Sequence, residues 1–239
     1  MIGSATTRQP TRLPRIALAS GSVEGLKWLA LVLMTFDHIN KYLLDWSVPW
    51  MYALGRMAMP IFVVVLAYNL ARPRSQMPGV FARTLRRLLI TGVVATVPFV
   101  LLGKLNADWW PLNIMFTLAL AVWVIQLVTN EQTGHKVAAV LAFAALGSLV
   151  EYWWPAVALA VGAVLYFKAP SVLALIAVVG SMALLCTING NQWAWLGLGV
   201  VLVASQLKVN LPIPRSPWAF YAYYPAHLAL LYGARSLLA

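Results

Sequence analysis

The sequence contains little charge, and acidic residues are especially scarce. Charged residues make up 10% of the 239-residue chain, and only six residues are aspartate or glutamate. A soluble domain of this length would need a much more polar surface. Apolar residues make up 62% of the chain, which is typical of a protein that crosses a membrane many times.

Cysteine is nearly absent. Cys186 is the single cysteine, so an intrachain disulfide and a cysteine-based metal site are both excluded. The sequence also lacks a Walker loop, a Rossmann glycine pattern, an HExxH motif and a GxSxG nucleophile elbow. We therefore expect no metal ion and none of the enzyme classes that these motifs identify.

The net charge of +11 would also suit a nucleic-acid-binding protein. The basic residues, however, cluster in a few segments between apolar stretches, and five arginines lie within residues 72–87. This distribution is typical of cytoplasmic loops that follow the positive-inside rule. We expect contact with membrane lipids and no nucleic-acid partner.

Nine apolar windows approach the roughly 20 residues that a membrane-crossing helix needs. With the N-terminus in the cytoplasm, thirteen of the seventeen basic residues fall on or near the cytoplasmic side. The sequence therefore predicts an all-α polytopic integral membrane protein with about nine transmembrane helices. Because the windows between residues 137 and 207 are short, the predicted number of transmembrane helices ranges from eight to ten. The windows are 23–44, 51–70, 88–103, 112–129, 137–150, 155–167, 171–188, 193–207 and 218–238.

The N-terminal segment differs from the rest of the chain. Residues 1–22 contain Arg8, Arg12 and Arg15 but no apolar core, so they do not have the pattern of a cleaved signal peptide. We expect a basic, flexible cytoplasmic arm over residues 1–22 and a single transmembrane domain over residues 23–239.

Several polar residues lie inside the apolar windows. An ionisable group within a membrane span costs about 2.5 to 3.5 kcal/mol on insertion scales and is a functional-site hypothesis by default. The first window contains Asp37 and His38, the second Arg56, the fourth Asn113 and the ninth His227. Because successive spans alternate in direction, this topology places the first four groups in the outer half of the membrane and His227 near its middle, so that four spans direct polar groups to one region.

Asp37 and His38 are consecutive, so on a helix their side chains point about 100° apart. Asp37 shares a helix face with Lys41 and is also placed to meet Arg56. His38 is then free for acid-base work near neutral pH. A purely structural polar network that fixes helix packing remains an alternative, and for His227 a packing role is as open as a catalytic one.

Four ordered motifs at these positions resemble the TraX family of conjugative-pilus pilin acetylases. The first joins residues 30–34 to residues 37–40, and the second joins residues 55–56 to residues 60–62 and 69–72. The others are residues 113–116 and 220–229. They cover the first, second, fourth and ninth windows, whereas residues 137–207 share only general hydrophobicity with the family.

The resemblance implies a bacterial inner-membrane enzyme that transfers an acetyl group from acetyl-CoA to the N-terminal amine of a pilin subunit. His38 would act as general base, or as a transient acetyl carrier, with Asp37 and Arg56 as charge and orientation partners. His227 would be a second acid-base group. Asn113 would donate to the oxyanion or to a substrate, and Tyr224 would contact a substrate. The phosphates of CoA would meet a cytoplasmic set of arginines, namely Arg72, Arg83, Arg86 and Arg87.

Three other functions remain open at this point. A membrane O-acetyltransferase that modifies a surface glycan would use the same base. A proton-coupled transporter would use Asp37 and His38 as a relay. A structural assembly factor would need the polar cluster only for stability.

Overall fold

The structure is a computed structural model that describes residues 13–207 and 210–238. Apart from an isolated bridge between Leu112 and Val150, the regular structure of the described residues is helical, and a 3-10 turn at Pro73–Gln76 separates α3 from α4. The helices are α1 (Ser20–Tyr42), α2 (Pro49–Gly55), α3 (Ala58–Ala71), α4 (Val80–Leu102), α5 (Ile114–Val128), α6 (Thr133–Leu146), α7 (Trp153–Lys168), α8 (Val172–Asn189), α9 (Ala194–Leu207) and α10 (Pro217–Leu238).

Each predicted window contains helix, and the second coincides with one apolar stretch, Pro49–Ala71, that is long enough to cross a membrane. That window holds two helices, α2 and α3, which are interrupted at Arg56 and Met57. Pro60 explains the break, because it lacks the N–H that would bond to the carbonyl of Arg56 four residues earlier. The interruption places Arg56 at the junction between two short helices.

Within the described ranges, three stretches are long and apolar enough to cross a membrane: Pro49–Ala71, Val80–Leu102 and Val172–Asn189. Four further apolar helices, α5, α6, α7 and α9, have 14 to 16 residues. The protein is therefore all-α with the character of a membrane protein, while nine crossings remain a prediction.

The outer helices expose apolar side chains. On α4, Val93 and Val97 are 63% and 64% exposed, and on α8, Leu173 is 77% exposed. The central helices α3, α5 and α7 bury Ala67, Val122 and Ala160 completely. An apolar exterior around an apolar core is the arrangement expected of a protein that is solvated by lipid.

Segments predicted for the same side of the membrane lie together. At one end of the helices, Lys104 forms an ion pair with Asp45. Lys104 is also close in sequence to the Leu112–Val150 bridge. At the other end, the backbone of Leu18 pairs in both directions with the hydroxyl of Tyr68, at 3.0 and 2.9 Å. These contacts bring together segments that the predicted topology places on the same side of the membrane.

The predicted N-terminal arm lies partly outside the described residues, since Arg8 and Arg12 precede residue 13. Residues 13–19 have no regular secondary structure, and α1 begins at Ser20. Tyr166 on α7 donates a hydrogen bond to the carbonyl of Pro14 at 2.9 Å. The described part of the arm therefore packs against the helices.

Candidate functional site

A cavity of about 490 Å³ lies between α1, α3, α5 and α10. On α1 its lining extends from Lys27 to Lys41, a distance of about 21 Å at 1.5 Å per residue. Asn69 and Phe220 line the Lys27 end, whereas Lys104 lines the Lys41 end. The cavity therefore extends between two ends that the predicted topology places on opposite sides of a membrane.

Asp37 and Arg56 form a buried ion pair on the wall of this cavity. Their side chains are only 9% and 11% exposed. The guanidinium of Arg56 also lies over the ring of Tyr52, 4.6 Å from its centroid. The pairing of Asp37 with Arg56, one of the two partners expected from the sequence, is confirmed.

The close approach of α1 to α2 depends on Gly55. A Cβ atom at this position would lie 2.4 Å from the Cβ of Asp37. Real Cβ atoms do not come this close, so a larger residue would push α2 away from α1. The absent side chain of Gly55 thus lets the next residue, Arg56, reach Asp37.

His38 is hydrogen-bonded to His227. The His38 Nδ1 atom lies 2.7 Å from His227 Nε2, and the ring planes are 5° apart. His227 Nδ1 lies 3.0 Å from the carbonyl oxygen of Tyr223. Because a carbonyl only accepts, the hydrogen of a neutral His227 is on Nδ1. Its Nε2 then accepts from His38 Nδ1–H, which leaves the lone pair of His38 on Nε2.

His38 lines the cavity, whereas His227 supports it from α10. The ring of His227 packs parallel to that of Tyr223, with centroids 5.1 Å apart. The hydroxyls of Tyr223 and Thr35 are 2.7 Å apart, which links α10 to α1 one turn before His38. The described contacts therefore hold the imidazole of His38 with Nε2 as its basic nitrogen.

Asn113 is buried beside the cavity, but its amide is already occupied. Its Oδ1 accepts from the N–H of Met115 at 3.1 Å and thereby caps the start of α5. Its Nδ2 donates to the Gly92 carbonyl at 2.9 Å and to the Thr96 hydroxyl at 3.2 Å. Both donor hydrogens are thus engaged, so the structure does not support the predicted role of Asn113 as a donor to the oxyanion or substrate.

Tyr224 lines the cavity and is 1% exposed. Its ring centre lies 6.4 Å from that of His38 and 5.4 Å from that of His227. The structure therefore brings Asp37, His38, Arg56 and Tyr224 into the lining of one cavity, with His227 bonded to His38.

The four predicted cofactor-binding arginines lie apart from this cluster. Arg83 and Arg86 are exposed near the start of α4. Arg72 lies over the ring of Tyr68, and Arg87 lies 4.5 Å from the ring centre of Trp218. None of the four lines the cavity. Arg87 also lies over the ring of Tyr221, which lines the cavity. The arginines therefore flank the end of the cavity that is predicted to be cytoplasmic.

Sequence reasoning missed several polar residues that line the cavity. Glu151 and Tyr152, from the turn between α6 and α7, face it together with Lys41 and Lys104. The sequence feature that could have identified Glu151 is the scarcity of acidic residues, since it is one of only six. At the end of the cavity that Lys104 lines, a hydrogen bond from the Lys104 ammonium group lowers the pKa of the Asp45 carboxyl.

Comparison with known proteins agrees with the resemblance. A family model described as TraX protein matches residues 22–235. The Escherichia coli protein named Protein TraX is 32% identical over 125 residues, which cover 52% of this chain and 47% of the relative. Protein TraX of Escherichia coli strain K12 is 32% identical over 145 residues, which cover 59% of this chain and 54% of that relative.

The chain thus spans about half the length of the curated relatives it matches. No solved structure matches it. The family match extends over most of the sequence and includes the helices that carry the cavity residues. This chain belongs to the TraX protein family.

Proposed function

We propose that this protein is an acetyltransferase of the bacterial inner membrane that moves an acetyl group from acetyl-CoA to the N-terminal amine of a conjugative pilin subunit. The observation that carries the proposal is the orientation of His38, whose Nε2 lone pair is left free by the hydrogen bond to His227. Membership of the TraX family and the resemblance in four motifs support the assignment.

The chemistry requires a base, because the attacking amine must lose a proton as its nitrogen bonds to the thioester carbonyl carbon. His38 Nε2 takes that proton and returns it to the sulfur of CoA as the carbon–sulfur bond breaks. His227 holds the imidazole in the required tautomer, in the way that a third group orients the base in other acyl-transfer sites.

The ion pair of Asp37 and Arg56 has a supporting role in this proposal. The pair joins α1 to the junction of α2 and α3. Removing one partner from a buried pair leaves an uncompensated charge and costs about 3 to 5 kcal/mol. The pair therefore keeps the cavity wall intact beside His38.

The two substrates enter from opposite ends of the cavity. Acetyl-CoA is cytoplasmic, and the exposed Arg83 and Arg86 attract its phosphates to the end near Lys27. The pilin N-terminus approaches from the end lined by Lys41 and Glu151. The acetyl group then meets the amine beside His38.

The direct test is transfer of radiolabelled acetyl from acetyl-CoA by the purified protein in lipid nanodiscs, with protein-free nanodiscs as the control. The acceptor is a peptide with the N-terminal sequence of the pilin. We expect label on the peptide's α-amine. Label that stays on CoA would favour a transporter, and label that moves to a glycan hydroxyl but not to the peptide would favour an O-acetyltransferase.

A further inference from the structure

The hydroxyl of Tyr224 is buried and lacks a hydrogen bond of regular geometry. The residue is 1% exposed and lines the same cavity as His38. A buried hydroxyl without a partner costs about 1 to 3 kcal/mol, and such groups in native structures call for a reason. A ligand atom in the cavity that accepts a hydrogen bond would satisfy it.

The backbone N–H of Ile114 points toward the Tyr224 oxygen and the Glu151 carboxylate. Ile114 is the first residue of the 15-residue helix α5, where backbone N–H groups have no partner within the helix. Because a tyrosine hydroxyl both accepts and donates, this contact uses the oxygen of Tyr224 and leaves its O–H hydrogen for an acceptor in the cavity.

Tyr224 and His38 line the same cavity, and their ring centres are 6.4 Å apart. A buried O–H donor that lacks an acceptor of its own and lies close to the base is the kind of group that stabilises a developing oxyanion.

We propose that the Tyr224 hydroxyl donates a hydrogen bond to the oxyanion of the tetrahedral intermediate during acetyl transfer. This inference rests on the function proposed above and assigns to Tyr224 a role that the sequence suggested for Asn113. The rings of Tyr224 and His38 are 6.4 Å apart, so one tetrahedral carbon can present its nitrogen to His38 and its oxygen to Tyr224.

In this step the amine nitrogen bonds to the thioester carbon, and the electron pair of the C=O double bond moves to oxygen, where the Tyr224 hydroxyl donates to it. His38 Nε2 takes the proton from the nitrogen. The oxygen then re-forms the double bond, the carbon–sulfur bond breaks, and the thiolate takes the proton from His38. The products are an N-acetyl amide and free CoA thiol.

Three other polar groups near the site are already engaged. The Tyr223 hydroxyl pairs with Thr35, and the Asn113 amide holds α4 and α5 together. Arg56 is paired with Asp37. Donation to an oxyanion from these groups would require breaking existing contacts, whereas the O–H of Tyr224 has no acceptor to give up.

The test is Tyr224→Phe in the nanodisc assay, with Tyr166→Phe as the matched control. Tyr166 is a buried tyrosine whose hydroxyl bonds to Pro14 far from His38. We expect Tyr224→Phe to lower kcat by about a hundredfold, as loss of one oxyanion donor does elsewhere. Because the donor acts in the transition state, KM for acetyl-CoA should change by no more than about twofold.

A second measurement does not depend on how much of the variant folds. Dithioacetyl-CoA, in which sulfur replaces the carbonyl oxygen, accepts hydrogen bonds poorly. The preference of the wild type for acetyl-CoA over this analogue should fall by about tenfold in Tyr224→Phe, since the variant lacks the donor that discriminates between them. Tyr166→Phe should keep the wild-type preference.

The outcomes separate the two proposals. A wild type that transfers no acetyl overturns the acetyltransferase proposal and the oxyanion assignment with it. An active wild type whose kcat and substrate preference are unchanged in Tyr224→Phe overturns the oxyanion assignment alone. A reduced kcat with an unchanged preference also overturns it, because the effect would then be structural.

Discussion

At the scale of single residues, two adjacent ionisable groups on α1 have different partners. Asp37 pairs with Arg56, and His38 pairs with His227. The angle of about 100° between successive helix residues predicted this division. The sequence left the role of His227 open, because only the packing of α10 against α1 brings the two rings together.

His227 is a positioning residue in this account, so its chemistry as an acceptor should matter more than its volume. We expect His227→Leu to lower kcat by about a hundredfold, within the range for loss of acid-base catalysis. His227→Gln should recover part of the rate, because its amide oxygen can accept from His38 Nδ1–H.

The measurement is steady-state acetyl transfer at equal amounts of folded protein. His135→Leu is the control, since His135 lies on α6 and does not line the cavity. Full activity in His227→Leu, or no difference between the two His227 variants, would show that the hydrogen bond does not position the base.

At the scale of elements, the junction between α2 and α3 determines the shape of the cavity wall. Hydropathy predicted one membrane span there, because residues 51–70 are almost uniformly apolar, and it did not show the break at Arg56. Pro60 and Gly55 were visible in the sequence, but their meaning depends on α1. Gly55 contacts Asp37 on α1, and the break lets Arg56 reach the same carboxylate.

Substitution of Gly55 should therefore be much more harmful than an equivalent change elsewhere. Gly55→Ala places a Cβ atom 2.4 Å from that of Asp37, and overpacking of this kind costs about 1 to 3 kcal/mol. Gly180→Ala on α8 is the matched control, since nothing lies within 4 Å of its added Cβ. There the change should be neutral or stabilise α8 by up to about 1 kcal/mol.

Thermal unfolding of the two purified variants in detergent provides the measurement. We expect a lower unfolding midpoint for Gly55→Ala than for wild type, and an equal or higher midpoint for Gly180→Ala. Equal midpoints for both variants would mean that α1 and α2 do not approach as closely as described.

At the scale of the whole molecule, hydropathy and charge predicted where helices occur and which ends lie together. They did not predict the cavity, because hydropathy does not specify which helices become neighbours. Lys41 and Glu151 illustrate the difference, since they are far apart in sequence and both line the cavity. Asn113 was predicted as a donor to a substrate or oxyanion, but its hydrogen bonds to α4 are visible only once α4 is in place.

The predicted topology can be tested because the chain has a single cysteine. In a Cys186→Ala background, new cysteines at the exposed Asp108 and Glu131 would lie on opposite sides of the membrane. A membrane-impermeant maleimide applied to spheroplasts should label position 108 only, and permeabilised spheroplasts should be labelled at both positions. Labelling of both positions before permeabilisation, or of position 131 alone, would contradict the predicted orientation.

The central claim is that His38 is the base for acetyl transfer to pilin. Its most direct test is the mass of the pilin N-terminal peptide from cells that contain equal amounts of wild type, His38→Ala or His135→Ala protein. We expect acetylated pilin with wild type and His135→Ala, and unmodified pilin with His38→Ala. Fully acetylated pilin in cells with His38→Ala would contradict the claim.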